Sequence, residues 1–141
     1  MLLTFDGFEI NPIHKGDAWK LCDFMVTNTD RFKRYFPATL KENLNPTLST
    51  FFVEQKTKQF SKKKEFLFTL KHSETQKLIG IIYIKELDWS LKQGEFAYCI
   101  DYNFKGRKLI SKAIKALSYY ALNTLELKTL QNFHYVRSNS G

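Results

Sequence analysis

The sequence predicts an α+β domain, or an α/β domain of three layers, from three observations. Helical spacing of apolar residues fills the first part of the chain, a period of two takes over from Glu65, and one strongly amphipathic helix joins two strands near the end. The predicted order is β, α, α, α, β, β, β, α, β. No internal repeat, low-complexity run or linker interrupts it, so residues 1–141 read as one domain.

From Leu3 to Ile13 the segment LTFDGFEINPI reads as a short strand or hairpin, with Phe8 and Ile10 on one face and Pro12 confining it to an edge or an end. Asp17 is the expected N-cap of a helix over AWKLCDFMVTNT, whose stripe is Trp19, Cys22, Phe24 or Met25, and Val26. A second short helix fits DRFKRYF, stopped by Pro37. A third fits TLSTFFVEQKTKQFSKKK, starting near Thr47 or Ser49, with Leu48, Phe51 and Phe52, joined by Gln55 and Gln59, on or near its inner face.

EFLFTLKH then alternates Phe66, Phe68 and Leu70 against Leu67, Thr69 and Lys71, and the polar turn SETQ follows. LIGIIYI, Leu78 to Ile84, is nearly all apolar, as expected of a strand covered on both faces. In EFAYCID, Glu95, Ala97 and Cys99 share one face while Phe96, Tyr98 and Ile100 share the other. After YNFKGRK comes a helix to about Thr124, striped by Ile110, Ala113, Ile114, Leu117, Tyr120 or Ala121, and Leu125. KTLQNFHYV is the last strand expected.

The chain has 141 residues, and 22 Lys+Arg against 14 Asp+Glu give a formal net charge of +8. A chain of this length buries enough surface to need neither disulfides nor a metal. Cys22 and Cys99 are too few and too far apart for a disulfide framework or a zinc site, which points to a reducing compartment. No basic, apolar leader and no membrane-length apolar run is visible, so a soluble cytoplasmic protein is expected. The positive charge favours anionic partners without choosing among nucleotide cofactors, nucleic acid and acidic surfaces.

Gly80, Asp88-Trp89, Glu95, Tyr98, Phe104, Gly106, Ala113 and Tyr120 fall in register along Leu78 to Gln131. On those residues the segment resembles the coenzyme-binding core of the GNAT (Gcn5-related) N-acetyltransferases, and more narrowly their RimJ/RimL type. The resemblance implies a GNAT fold, with a mixed, mostly antiparallel sheet and helices on both sides. A family domain continues into a further helix and strand, so a C-terminally shortened member is expected, whose open strand edge favours a homodimer.

The resemblance implies that the loop after EFAYCID wraps the pyrophosphate of acetyl-CoA. Physics supports such a place, because the first N–H groups of a helix lack intrahelical partners and the aligned peptide dipoles add positive charge. Tyr98, Ile100, Phe104, Lys105, Gly106, Arg107, Lys108, Leu109 and Lys112 are the expected coenzyme contacts. Lys108 departs from the small residue the family carries there, and a positive φ at that position would strain it.

The implied reaction is direct attack of a neutral amine on the thioester, with the backbone N–H of Cys99 polarising the carbonyl and Glu95 as general base through water. The bland readings are a Glu95 paired with a lysine and a Cys99 that is a small buried residue. No metal is implied, and His14, His72 and His134 have no metal spacing. Trp19, Phe32, Tyr35, Phe36 and Trp89 are candidates for the acceptor site, although such aromatics usually build core.

The acceptor expected from the resemblance is a protein N-terminal amine of ribosomal-protein type, with ribosome association. A polyamine or aminoglycoside acceptor, or a non-catalytic CoA- or RNA-binding remnant, are the competing readings. The run KTKQFSKKK from Lys56 to Lys64 either docks on RNA or an acidic protein or is a solvated helix end.

Overall fold

The computed structural model of the chain describes residues 3–104 and 108–132. In chain order the elements are β1 (Leu3–Phe5), β2 (Phe8–Pro12), α1 (Ala18–Thr27), α2 (Thr29–Tyr35), α3 (Pro37–Lys41), α4 (Pro46–Ser61), β3 (Phe66–His72), β4 (Leu78–Asp88), β5 (Gln93–Ile100), α5 (Leu109–Asn123) and β6 (Thr129–Asn132). The six strands form one sheet in sequence order. Every pair is antiparallel except β5–β6. A parallel neighbour cannot be reached by a tight turn, and α5 is the crossover that reaches it.

Each face of the sheet has its own apolar layer. Leu67, Ile81, Tyr83, Ala97 and Cys99 meet Leu21, Met25, Phe32 and Phe52 from the early helices. On the other face Phe66, Phe68, Ile82, Phe96 and Tyr98 meet Leu109, Ala113, Leu117 and Ala121 of α5. Helices on both sides and a mixed, mostly antiparallel sheet are the architecture expected.

The hairpin at the start is present as β1 and β2, with Pro12 the last residue of β2. Pro37 does stop α2, yet it also opens α3 at a position where its missing N–H costs nothing. The cap of α4 is Asn45, whose side chain accepts from the Leu48 N–H at 2.9 Å, and neither Thr47 nor Ser49 does so. The inner face of α4 is also rotated from the expected one: Ser49, Phe52 and Val53 are buried while Leu48 and Phe51 are exposed. The Ser49 hydroxyl donates to Asn43 Oδ1 at 2.7 Å, which lets two polar side chains sit fully buried where α3 turns into α4.

The stripe of α1 is likewise corrected. Leu21, Cys22, Phe24 and Met25 are buried, whereas Trp19 and Val26 face solvent. Asp17 stands at the N-cap position but makes no side-chain cap to that helix. Its buried carboxylate accepts from the His14 N–H at 3.0 Å and from Lys71 Nζ at 2.6 Å. Lys71 lies on the Leu67–Thr69 face of β3, so the pair pins the start of α1 to the sheet centre.

Gly80 is where β4 departs from a regular ladder. Leu70 pairs with Gly80 and Lys71 with Leu78, so Ile79 is an extra residue and the strand bulges. A Cβ on Gly80 would stand 3.2 Å from the Cys99 carbonyl oxygen, a backbone atom that has little room to move. The bulge and the close approach explain why a glycine interrupts an otherwise branched, apolar strand.

Candidate active site

The site grows from the last half of β5. The Asp101 N–H donates to the Ile79 carbonyl at 2.7 Å, and Ile81↔Cys99, Tyr83↔Ala97 and Lys85↔Glu95 continue the same register. Successive peptide groups of a strand point to opposite sides. The backbone groups of Cys99 therefore face β4, and those of Tyr98 and Ile100 face the β6 side. The expected Cys99 N–H donor is corrected in this respect: that N–H faces β4, and the groups facing away from β4 belong to its even-numbered neighbours. The parallel register runs from Gln93↔Thr129 to Phe96↔Asn132 among the described residues, so Tyr98 and Ile100 lie beyond its described end.

Side chains follow the opposite logic. Tyr98 and Ile100 are buried under α5, and Glu95, Ala97 and Cys99 point to the helix face of α1–α4. Burial pushes the Cys99 thiol up to about 12, the Arg31 guanidinium opposing and the Asp101 carboxylate reinforcing that shift. A thiol so held is protonated at working pH and is no nucleophile. Cys99→Ala is expected to keep kcat within about an order of magnitude of the parent in a steady-state assay, where loss of an acyl-enzyme nucleophile would abolish turnover.

Arg31 is a site residue that sequence reasoning missed. Its Nη1 donates to the Ile100 carbonyl at 2.5 Å, and its Nε is buried with no partner among the described residues. It thus fixes the last peptide of β5 on the side away from β4. Asp101, also unanticipated, is buried and shapes the exit turn: its Oδ1 accepts from the Asn103 N–H at 2.9 Å, and its carbonyl from the Phe104 N–H at 2.9 Å. Phe104 then packs edge-on against Phe8.

Lys105, Gly106 and Arg107 lie outside the described residues. Lys108 is the N-cap of α5, with φ 59° and ψ 12°, the left-handed conformation whose strain its family departure implied. No side chain caps α5 among the described residues, and its first turn carries no acid. The leading N–H groups of Leu109, Ile110 and Ser111 therefore form an anion-attracting end. Lys108→Gly is expected to raise stability by up to about 1 kcal/mol in denaturant unfolding, since glycine adopts this conformation without a Cβ penalty. Lys112, one turn on, is ion-paired to Asp6 of the β1–β2 turn, and Leu109 is buried against the sheet.

Glu95 stands directly across from Lys85, half-buried, on the same face as Ala97 and Cys99. Three residues of strand separate it from Tyr98, about 10 Å, so any base role must run through water. Among the acceptor aromatics, Phe32 and Phe36 belong to the core. Tyr35 packs at the edge of that core, and Trp89 lies at the far end of β5. Trp19 lines a cavity of about 250 Å³ with Lys20, Asp23, Lys77, Leu78 and Asp101, where α1 meets the end of β5.

The sequence matches the Acetyltransferase (GNAT) domain family over residues 8–139. No curated protein matches it. Among solved structures, the ribosomal-protein-S5-alanine acetyltransferase from Vibrio fischeri superposes with a TM-score of 0.85 at 14% identity, over 94% of this chain and 73% of that one. An acetyl transferase from Salmonella typhimurium that modifies the N-terminal serine of ribosomal protein L7/L12 gives 0.75 at 12%, over 88% and 70%. The microcin C7 self-immunity acetyltransferase, solved with acetyl-CoA and AMP, gives 0.73 at 21%, over 85% and 66%. At these identities the likeness establishes a common fold. With the family match spanning nearly the whole chain and the sheet, crossover and helix layers in place, the protein belongs to the GNAT acetyltransferase family.

Proposed function

We propose that the protein transfers an acetyl group from acetyl-CoA to the α-amine of a protein N-terminus by direct attack. The observation that carries the reading is the N-terminal end of α5, with no side-chain cap among the described residues and no acid in its first turn, set at the exit of β5. That end suits a pyrophosphate, and Lys105, Arg107 and Lys108 are cations that directly precede the helix in sequence. The N–H groups of Tyr98 and Ile100, facing the β6 side, then meet the pantetheine arm and the thioester carbonyl, with the Ile100 carbonyl held by Arg31. The amine nitrogen attacks the carbonyl carbon, the C–S bond breaks and the coenzyme thiolate leaves, while the amine proton passes to water or, through water, to Glu95.

The acceptor class follows from how little base assistance the site offers. An α-amine with a pKa of about 8 is roughly a tenth neutral at pH 7, whereas a lysine amine is neutral less than about one time in a thousand. Glu95, opposite Lys85 and about 10 Å along the strand, suits the less demanding amine. The named activities of the Vibrio and Salmonella structures, on ribosomal proteins, point the same way. The cavity beside Trp19 counts Lys20 and Lys77 against Asp23 and Asp101, a balanced set with nothing that selects a polyamine.

Mass spectrometry of peptides incubated with acetyl-CoA tests this. Acetylation is expected on free N-terminal amines and absent from Nα-blocked lysine peptides and from spermidine. Faster modification of spermidine or of lysine side chains would refute the acceptor class while leaving acetyl transfer intact.

A further inference from the structure

At the end of the sheet opposite the coenzyme loop, three turns converge on one groove of about 590 Å³. The α4–β3 turn supplies Lys62, Lys63 and Lys64, the β4–β5 hairpin supplies Trp89 and Lys92, and the stretch after α5 supplies Leu125 and Glu126. These turns are cross-bonded. The indole Nε1 of Trp89 donates to the Lys63 carbonyl at 2.8 Å, and the Lys92 carbonyl accepts from the Lys128 and Thr129 N–H groups at 2.7 and 3.2 Å. Lys63 and Lys92 both hold positive φ, 58° and 56°. Four exposed or half-exposed cations are thus carried by a tied backbone rather than by a fraying helix end. The eight residues of β5 separate this groove from the coenzyme loop by about 23 Å, so acetyl-CoA phosphates bound there cannot neutralise it.

We propose that this groove binds single-stranded nucleic acid, with the lysines on phosphates and the Trp89 ring under a base. The choice between polyanions rests on Trp89. Trp89 is 36% exposed with its ring perpendicular to that of Phe66, and its indole N–H is already spent on Lys63, so it offers a stacking surface and no donor. A planar base stacks on such a surface, whereas a carboxylate pairs with the lysines and gains nothing from the ring.

The test uses the full chain carrying Trp19→Phe, which leaves Trp89 as the lone tryptophan of the two present. A fluorescein-labelled oligo(U) is titrated at low salt, reading anisotropy and indole emission. Binding with quenching of Trp89 is expected, weakening steeply with salt. Lys62→Gln/Lys63→Asn/Lys64→Gln/Lys92→Asn, with asparagine at the two positive-φ sites to keep the turns, should lose at least about tenfold in affinity and flatten the salt slope. Lys62→Gln/Lys64→Gln, which touches no strained position, should lose part of it. Trp89→Leu should lose affinity without changing the slope. Acetyl-CoA should not displace the oligonucleotide. Affinities within twofold of the parent in the lysine variants, an unquenched Trp89, or displacement by poly-glutamate at equal charge would overturn the proposal.

Discussion

Asp17→Ala is expected to lower the stability of the fold by about 3–5 kcal/mol, the largest effect of any single change discussed. The carboxylate is 1% exposed and its partner Lys71 is 4% exposed, with 2.6 Å between Nζ and Oδ1. Removing the acid leaves an ammonium group in the helix-facing layer without its counter-charge, and also leaves the His14 N–H without an acceptor. Urea unfolding followed by circular dichroism reads the loss. The double change Asp17→Ala/Lys71→Met removes both charges and is expected to recover much of it, because two buried ions replaced by apolar groups are often neutral in cost. A double variant as unstable as the single one would assign the loss to the His14 hydrogen bond and not to the ion pair.

Ser111→Glu is expected to act in opposite directions on stability and on coenzyme use. Ser111 is exposed in the third position of α5, in a first turn that holds no acid. A carboxylate there suits the helix dipole and should add about 0.3–1 kcal/mol. The same charge faces the proposed pyrophosphate. At about 5 Å and an effective dielectric near 20 the repulsion is about 3 kcal/mol before screening, so KM for acetyl-CoA should rise about ten- to a hundredfold. A helix that merely packs on the sheet, with the coenzyme elsewhere, would show the gain in melting temperature and no change in KM. Steady-state kinetics beside thermal unfolding separates the two.

The parts of this fold that were legible in the sequence are those whose determinants are local. The period-two segments and the stripe of α5 state their buried faces within a few residues, and β3 and α5 lie where those patterns put them, while β4 runs on past Ile84 to Asp88 and β5 starts earlier, at Gln93. The parts that were not legible depend on partners far along the chain. Asp17 reads as a helix cap because Lys71 is 54 residues away, and Arg31 carries no local mark because the Ile100 carbonyl it meets is 69 residues away. The inner face of α4 was misplaced because Ser49, buried by its bond to Asn43, takes a position that an apolar residue would normally hold. Which backbone groups of β5 face away from β4 needed the register of β4 on β5, which separates odd from even residues. The run from Lys56 to Lys64 reads either as a dock for RNA or an acidic protein or as a solvated helix end, because Trp89, which bonds the Lys63 carbonyl, is 26 residues away.

Calorimetric titration of the parent protein and of Ser111→Glu with acetyl-CoA tests most directly whether the exit of β5 and the start of α5 hold the coenzyme. One site per chain is expected in the parent, with affinity at least about tenfold weaker in the variant. No heat from the parent at millimolar acetyl-CoA, or equal affinity in the two proteins, would contradict the placement of the coenzyme on this helix.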